Sequence, residues 1–137
     1  MSVPIHYLDC RAFCYGTEAE SRVRAALQTL LPEDAEIERM ASEGHHGDTI
    51  VVFSARVERA DEIRHVLSAL REAGVLAAVS DELDDRLDEN NSLFVHLDKQ
   101  AAYEGELRLG EGIALRGKVE AYPATREKAL ENVRDVL

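Results

Sequence analysis

"AEIERMASEGHHGDTIVVFSARV", residues 35–57, decides the fold. Its second half, "TIVVFSARV" (49–57), is dense in β-branched and aromatic residues and reads as a strand. Its first half, "AEIERMASEG" (35–44), sets Ile37, Arg39 and Ala41 against Glu36, Glu38 and Met40, the period of two that a second, weaker strand requires. Between them "EGHHGD" (43–48) carries two glycines and works as a turn. The two strands therefore form a hairpin, and a hairpin is antiparallel.

Working outward, "IHYLDCRAFCY" (5–15) alternates and reads as a strand that Gly16 ends. "TEAESRVRAALQTLL" (17–31) opens on Thr17 followed by Glu20, the spacing of a capping box. Val23, Ala26, Leu27, Leu30 and Leu31 then recur at helical spacing until Pro32. "RADEIRHVLSALREAG" (59–74) is an amphipathic helix with Ile63, Val66, Leu67 and Leu70 on one face and Gly74 at its C-terminus. Residues 75–91 continue helically, turn acidic and end in a polar turn. "SLFVHLDK" (92–99) is a strand, "QAAYEGELRLG" (100–110) a short helical or irregular link, and "GIALRGKVEAY" (112–122) a strand stopped by Pro123. Thr125 caps a closing helix. The order β-α-β-β-α-(α)-β-β-α favours hairpins over crossovers, so one α+β domain spanning 1–137 with a mostly antiparallel sheet is expected.

Bulk properties narrow the class. A chain of 137 residues, 45% hydrophobic and 31% charged, suits one globular domain with a continuous core. No run approaches the roughly 18 apolar residues of a membrane span. "MSVPIHYLDC" lacks a basic region followed by an apolar one, so the cytoplasm is the expected compartment. Cys10 and Cys14 would lie about 13 Å apart on one strand face at ~3.3 Å per residue. That is too far for a disulfide, and small buried core residues are expected.

The net charge is −11, unevenly distributed. Residues 1–91 hold 9 basic and 19 acidic side chains, whereas residues 92–128 hold 6 of each. Of 16 basic residues 13 are Arg and 3 Lys, a balance of the kind adapted to high salt, where the Debye length shrinks to ~3 Å at 1 M. Acidity then reflects habitat more than partner.

The candidates for chemistry are few. His45 and His46, beside Glu43 and Asp48, offer donors suited to several divalent ions, but no HExxH or Cys-rich spacing supports a metal site. The plain reading is a polar turn tip, and contact with a phosphate or a base is the third option. The carboxylates at 81–89 lack an EF-hand pattern and read as a solvated helix face. GxSxG, GxGxxG and GxxxxGK[ST] are absent, so no catalytic residue, metal or cofactor is assigned. The segment "HLDKQAAYEGELRL" (96–109) is different, because it groups Lys99, Gln100, Tyr103 and Arg108. An ammonium, an amide and a guanidinium fork suit phosphate and sugar, and a tyrosine ring can stack a base. Lys118 and Arg126 extend this set, Arg126 opening a helix N-terminus. The competing structural reading pairs Lys99 with Asp98 or Glu104 and packs Tyr103 in the core.

"EGHHGD", "LDKQAAYEGELRL" and "KVEAYPATREKA", in this order and spacing over nearly the whole chain, resemble an archaeal family of predicted RNA-binding proteins, also described as predicted exosome subunits. The family's fold is similar to that of the ribosomal protein that binds 5S ribosomal RNA, a split α+β sheet packed on helices. The family pattern falls on Gly44, His45 and Gly47, on Asp98, Lys99, Gln100, Ala101, Tyr103, Gly105 and Leu107, and on Ala121, Tyr122, Pro123 and Arg126. This chain departs from it with His46, where an aromatic commonly stands, and with Asp48, where Asn is common. The resemblance implies a non-catalytic RNA-binding protein, an accessory of RNA processing or exosome-type degradation. Its expected contacts are His45, His46, Lys99, Gln100, Tyr103, Arg108, Lys118, Tyr122 and Arg126. RNA is the expected partner, with RNA-processing proteins and a homodimer as further options and no membrane. The alternatives are a protein-interaction or assembly subunit that uses the same cluster without RNA, and a small metal protein or enzyme built on His45 and His46.

Overall fold

A computed structural model describes residues 4–43 and 49–135. The strands are β1 (Ile5–Cys14), β2 (Glu38–Glu43), β3 (Thr49–Val57), β4 (Ser92–Asp98) and β5 (Gly112–Val119). The helices are α1 (Glu20–Gln28), α2 (Ala60–Glu72), α3 (Val75–Asp81), α4 (Leu83–Arg86), α5 (Lys99–Tyr103) and α6 (Arg126–Arg134). They follow the order read from the sequence, the 75–91 stretch forming two short helices and 99–103 a third.

One five-stranded sheet runs β2-β3-β1-β5-β4, and every pairing in it is antiparallel. The 35–57 hairpin is present as β2 and β3, with Glu43 opposite Thr49. The turn between them, including His45 and His46, lies outside the described residues. β1 occupies the centre because it pairs with β3 on one side and β5 on the other. A register shift between Ile5 and Tyr7 lets both Ile5 and Leu8 face the core.

The helices pack on one face of the sheet. Leu8, Cys10, Ala12, Val51, Phe53, Ala55, Val95, Leu97, Ile113 and Leu115 point into that layer, as the period of two demands. They meet Val23 and Leu27 of α1, Val66 and Leu70 of α2, Val79 of α3 and Val133 of α6 in one cluster. Both cysteines are reduced and buried there. Burial, aided by Asp9, pushes the Cys10 thiol up to about 12, which keeps it unreactive near neutrality.

Two local expectations are corrected. α1 begins at Glu20 with Ala19 as an N-cap that makes no side-chain hydrogen bond, so Thr17 forms no capping box. A capping box needs the glutamate at the third helical position, whereas Glu20 is the first residue of α1. The Glu20 carboxylate instead takes Arg39 of β2 in a bidentate pair at 2.6 and 3.2 Å. The strand β2 also departs from its expected alternation. All its residues are exposed, because it is an edge strand, tied to α1 by Arg39.

Candidate nucleic-acid interface

The segment after β4 is held by its backbone and its glycines. Asp98 Oδ1 accepts the Ala101 N–H at 2.9 Å and so caps α5, while Asp98 N–H donates to Arg108 O at 2.9 Å. Gly110 returns against β4 through His96 O at 3.0 Å. A Cβ there would stand 2.6 Å from Asp98 Cβ and 2.8 Å from Asp98 Cα. Gly112 has φ +111° and lies against the Lys99 side chain. Ala101 and Ala102 bury α5 against α1, where Thr29 Oγ1 donates to Ala102 O at 2.9 Å.

Lys99, 15% exposed, points inward along this junction. Its ammonium donates to Glu18 Oε1 and to Phe13 O, each at 2.6 Å, and lies 5.0 Å from the centre of the Tyr15 ring. It pairs with Glu18 across 81 residues of chain, and not with Asp98 or Glu104. Burial raises the Glu18 pKa, but the Lys99 hydrogen bond, the Tyr15 amide and the Lys99 charge outweigh it and hold the carboxyl below its ordinary value. Gln100 is exposed and reaches Glu104 at 3.4 Å. Tyr103 is 42% exposed rather than in the core, with the Arg22 guanidinium 5.4 Å from its ring centre. Arg108 is exposed, 3.9 Å from Asp98 Oδ2. Arg22, Lys99, Gln100, Tyr103 and Glu111 line a cleft of about 510 Å³ between α1 and α5.

The other sequence candidates lie elsewhere. Lys118 pairs with Ser92 at the start of β4, about 20 Å along the strand from Asp98 at ~3.3 Å per residue, and its ammonium donates to Asn90 O. Tyr122 is 93% exposed. Arg126 ties α6 to α4, donating to Leu87 O at 2.6 Å and Asp84 O at 2.7 Å, while Thr125 Oγ1 accepts the Lys128 N–H at 3.2 Å. The sequence set thus divides between the two ends of the sheet. Among the described residues no group of three or more His, Cys, Asp or Glu is placed to hold a metal ion. None of the helices described is long and apolar enough to cross a membrane.

Between those ends lies a surface that the sequence reading missed. No helix among the described residues covers the second face of the sheet, and the outward residues of β1, β3 and β5 are all at least partly exposed. Arg56, Asp9, Arg116 and Phe94 form one line across β3, β1, β5 and β4. Ser54, Arg11, Ala114 and His96 form the next, and Tyr7 and Lys118 stand on the other side of the first. Asp9 takes Arg56 in a bidentate pair at 2.7 and 3.0 Å, and the same guanidinium lies 4.1 Å from the Tyr7 ring centre. Arg116 lies 5.9 Å from the Phe94 ring centre. Across the sheet the face carries Arg11, Arg56, Arg116 and Lys118 against Asp9, Asp98 and, on β2 opposite Ser54, Glu38, in a chain of net charge −11. The signal was the outward parity of β1 and β5, where Arg and Tyr take positions that acidic residues hold elsewhere.

The fold and this face define an α+β protein with an open antiparallel sheet. The chain belongs to the RNA-binding family, whose model matches residues 7–119. It is 34% identical to the RNA-binding protein PAB1135 of Pyrococcus abyssi, over 96% of this chain and 93% of that one. It is also similar to the solved structure of Mth689, a DUF54 protein from Methanothermobacter thermautotrophicus, with TM-score 0.80 and 44% identity over 97% of this chain and 98% of that one.

Proposed function

We propose that this chain binds RNA without transforming it, as an accessory of RNA processing. The observation that carries this reading is the open sheet face, where Arg11, Arg56, Arg116 and Lys118 outnumber the carboxylates of Asp9, Asp98 and Glu38 on a chain of net charge −11. A polyanion is attracted to such a face and repelled by most of the remaining surface. Arg108, beside Asp98 at one end of β4, is the flanking contact on this face, while Gln100 and Tyr103 line the cleft with α1 on the helical side and offer a second contact with an RNA strand that passes round the sheet end. Lys99 and Arg126 act as internal braces that hold the two ends in place.

Titration of a mixed-sequence RNA by the purified protein, followed by fluorescence anisotropy across a salt series, tests the proposal. Phosphate contacts at Arg11, Arg116 and Lys118, with Arg56 held by Asp9, give a log–log salt slope near −2, at ~0.7 per contact on a single strand. Replacing Arg11, Arg116 and Lys118 together with Ala flattens that slope by about two units. Wild-type protein that binds no RNA at low salt refutes the proposal.

A further inference from the structure

Taking RNA binding as proposed above, we infer that the ligand is single-stranded and that its bases stack on Phe94 and Tyr7 of the open sheet face. Cations alone would serve any nucleic acid, so the rings decide the class. Phe94 and Tyr7 are both half-buried and stand on outward positions of β4 and β1. Two strand spacings of ~4.8 Å across and two residues of ~3.3 Å along the strands separate them, about 12 Å in all. A guanidinium accompanies each ring: Arg116 lies 5.9 Å from the Phe94 centre, and Arg56 covers one face of Tyr7 at 4.1 Å, adding its own planar group to the stacking platform. Ring and cation are thus presented together, twice, which suits a chain offering a base and a phosphate at each step.

A duplex does not fit this surface. Its base faces are stacked internally, its deep groove admits no side chain, and it offers a flat sheet phosphates, hydroxyls and base edges but no base face. The half-buried rings would then gain nothing. Asp9 sharpens the choice further. It lies between Arg56 and Arg116 in register and neutralises Arg56 through a bidentate pair, so the line does not carry the unbroken positive charge that a duplex backbone would favour. The same carboxylate fixes the guanidinium over Tyr7, keeping that ring oriented before ligand arrives. Arg116 in the line, with Arg11 and Lys118 on either side of it, supplies the phosphate contacts. Arg11 is exposed and has no side-chain partner among the described residues.

The test compares a labelled single strand of about twelve nucleotides with a hairpin duplex of the same composition, by anisotropy at low salt. The single strand binds wild type at least roughly tenfold tighter than the duplex. Phe94→Ala and Tyr7→Ala each weaken single-strand binding about tenfold and leave the salt slope unchanged, because the rings touch no phosphate. Phe94→Leu keeps apolar bulk for folding and still loses affinity, and Arg24→Ala on α1 binds like wild type. Thermal midpoints of all variants show that they are folded. Equal affinity for duplex and single strand overturns the inference and leaves RNA binding standing, as does wild-type affinity in both ring variants. A dimer in solution that Phe94→Glu dissociates also overturns it, by giving the face to a second copy of this chain. Absence of binding to either RNA removes this inference and the RNA-binding reading together.

Discussion

Lys99 shows how a single residue can read one way in sequence and serve another in the fold. Beside Gln100 and Tyr103 it suggests a phosphate ligand, yet its ammonium bridges Glu18 and the Phe13 carbonyl at 15% exposure. No local pattern shows this, because the partners lie 81 and 86 residues away. Lys99→Met removes a charged double hydrogen bond and costs about 2 kcal/mol of stability, read as a lower urea midpoint at unchanged m-value. Its partner gives the sign of a pH effect. The Glu18 pKa is lowered from 4.5, so its stabilising effect is present above about that pH and fades as pH falls through the depressed value. Glu18→Gln is therefore less stable than wild type at pH 7, and the gap narrows below about pH 4.5. A gap that stays constant down to pH 3 contradicts this account.

At the scale of elements, the link from β4 to β5 depends on chain geometry more than on side-chain chemistry. The sequence correctly marks "QAAYEGELRLG" as short helix and irregular link, and α5 with its return to Leu109 is that structure. The requirement for glycine at 110 comes from the return itself, which brings its backbone against Asp98. Gly110→Ala pushes the link away from β4 and costs about 2 kcal/mol by overpacking, measured by chemical denaturation. An alanine variant as stable as wild type would mean the return is looser than described. The expected Thr17 cap fails because Glu20 is the first residue of α1 and not the third. Its carboxylate pairs instead with Arg39, which is distant in sequence and adjacent only because β2 lies at the sheet edge. The Thr125 cap, whose partners are all local, forms as read.

For the molecule as a whole, a net charge of −11 on 137 residues means self-repulsion in the compact state. Raising KCl from about 0.1 to 1 M shortens the Debye length from ~10 to ~3 Å and relieves it. The thermal midpoint therefore rises over that range, by several degrees in a melting experiment. RNA affinity falls over the same range, since its phosphate contacts release counterions. A midpoint that is flat or falling would show that the local pairs, such as Asp9 with Arg56, already balance the surface.

Periodicity in the sequence determined the antiparallel hairpin, the element order, the buried parity of every strand but the edge strand β2 and the local cap at Thr125, because each depends on neighbours a few residues apart. It also held the residues that carry the family resemblance. Only the tertiary structure decided that β1 lies between β3 and β5, and that the helices all settle on one side of the sheet. Those two facts bring Arg56, Asp9, Arg116 and Phe94 into one line on an uncovered face and turn Lys99 inward as a brace. The reason is physical. Alternation fixes which side chains share a face within a strand, but strand order and helix placement depend on contacts between segments far apart in the chain.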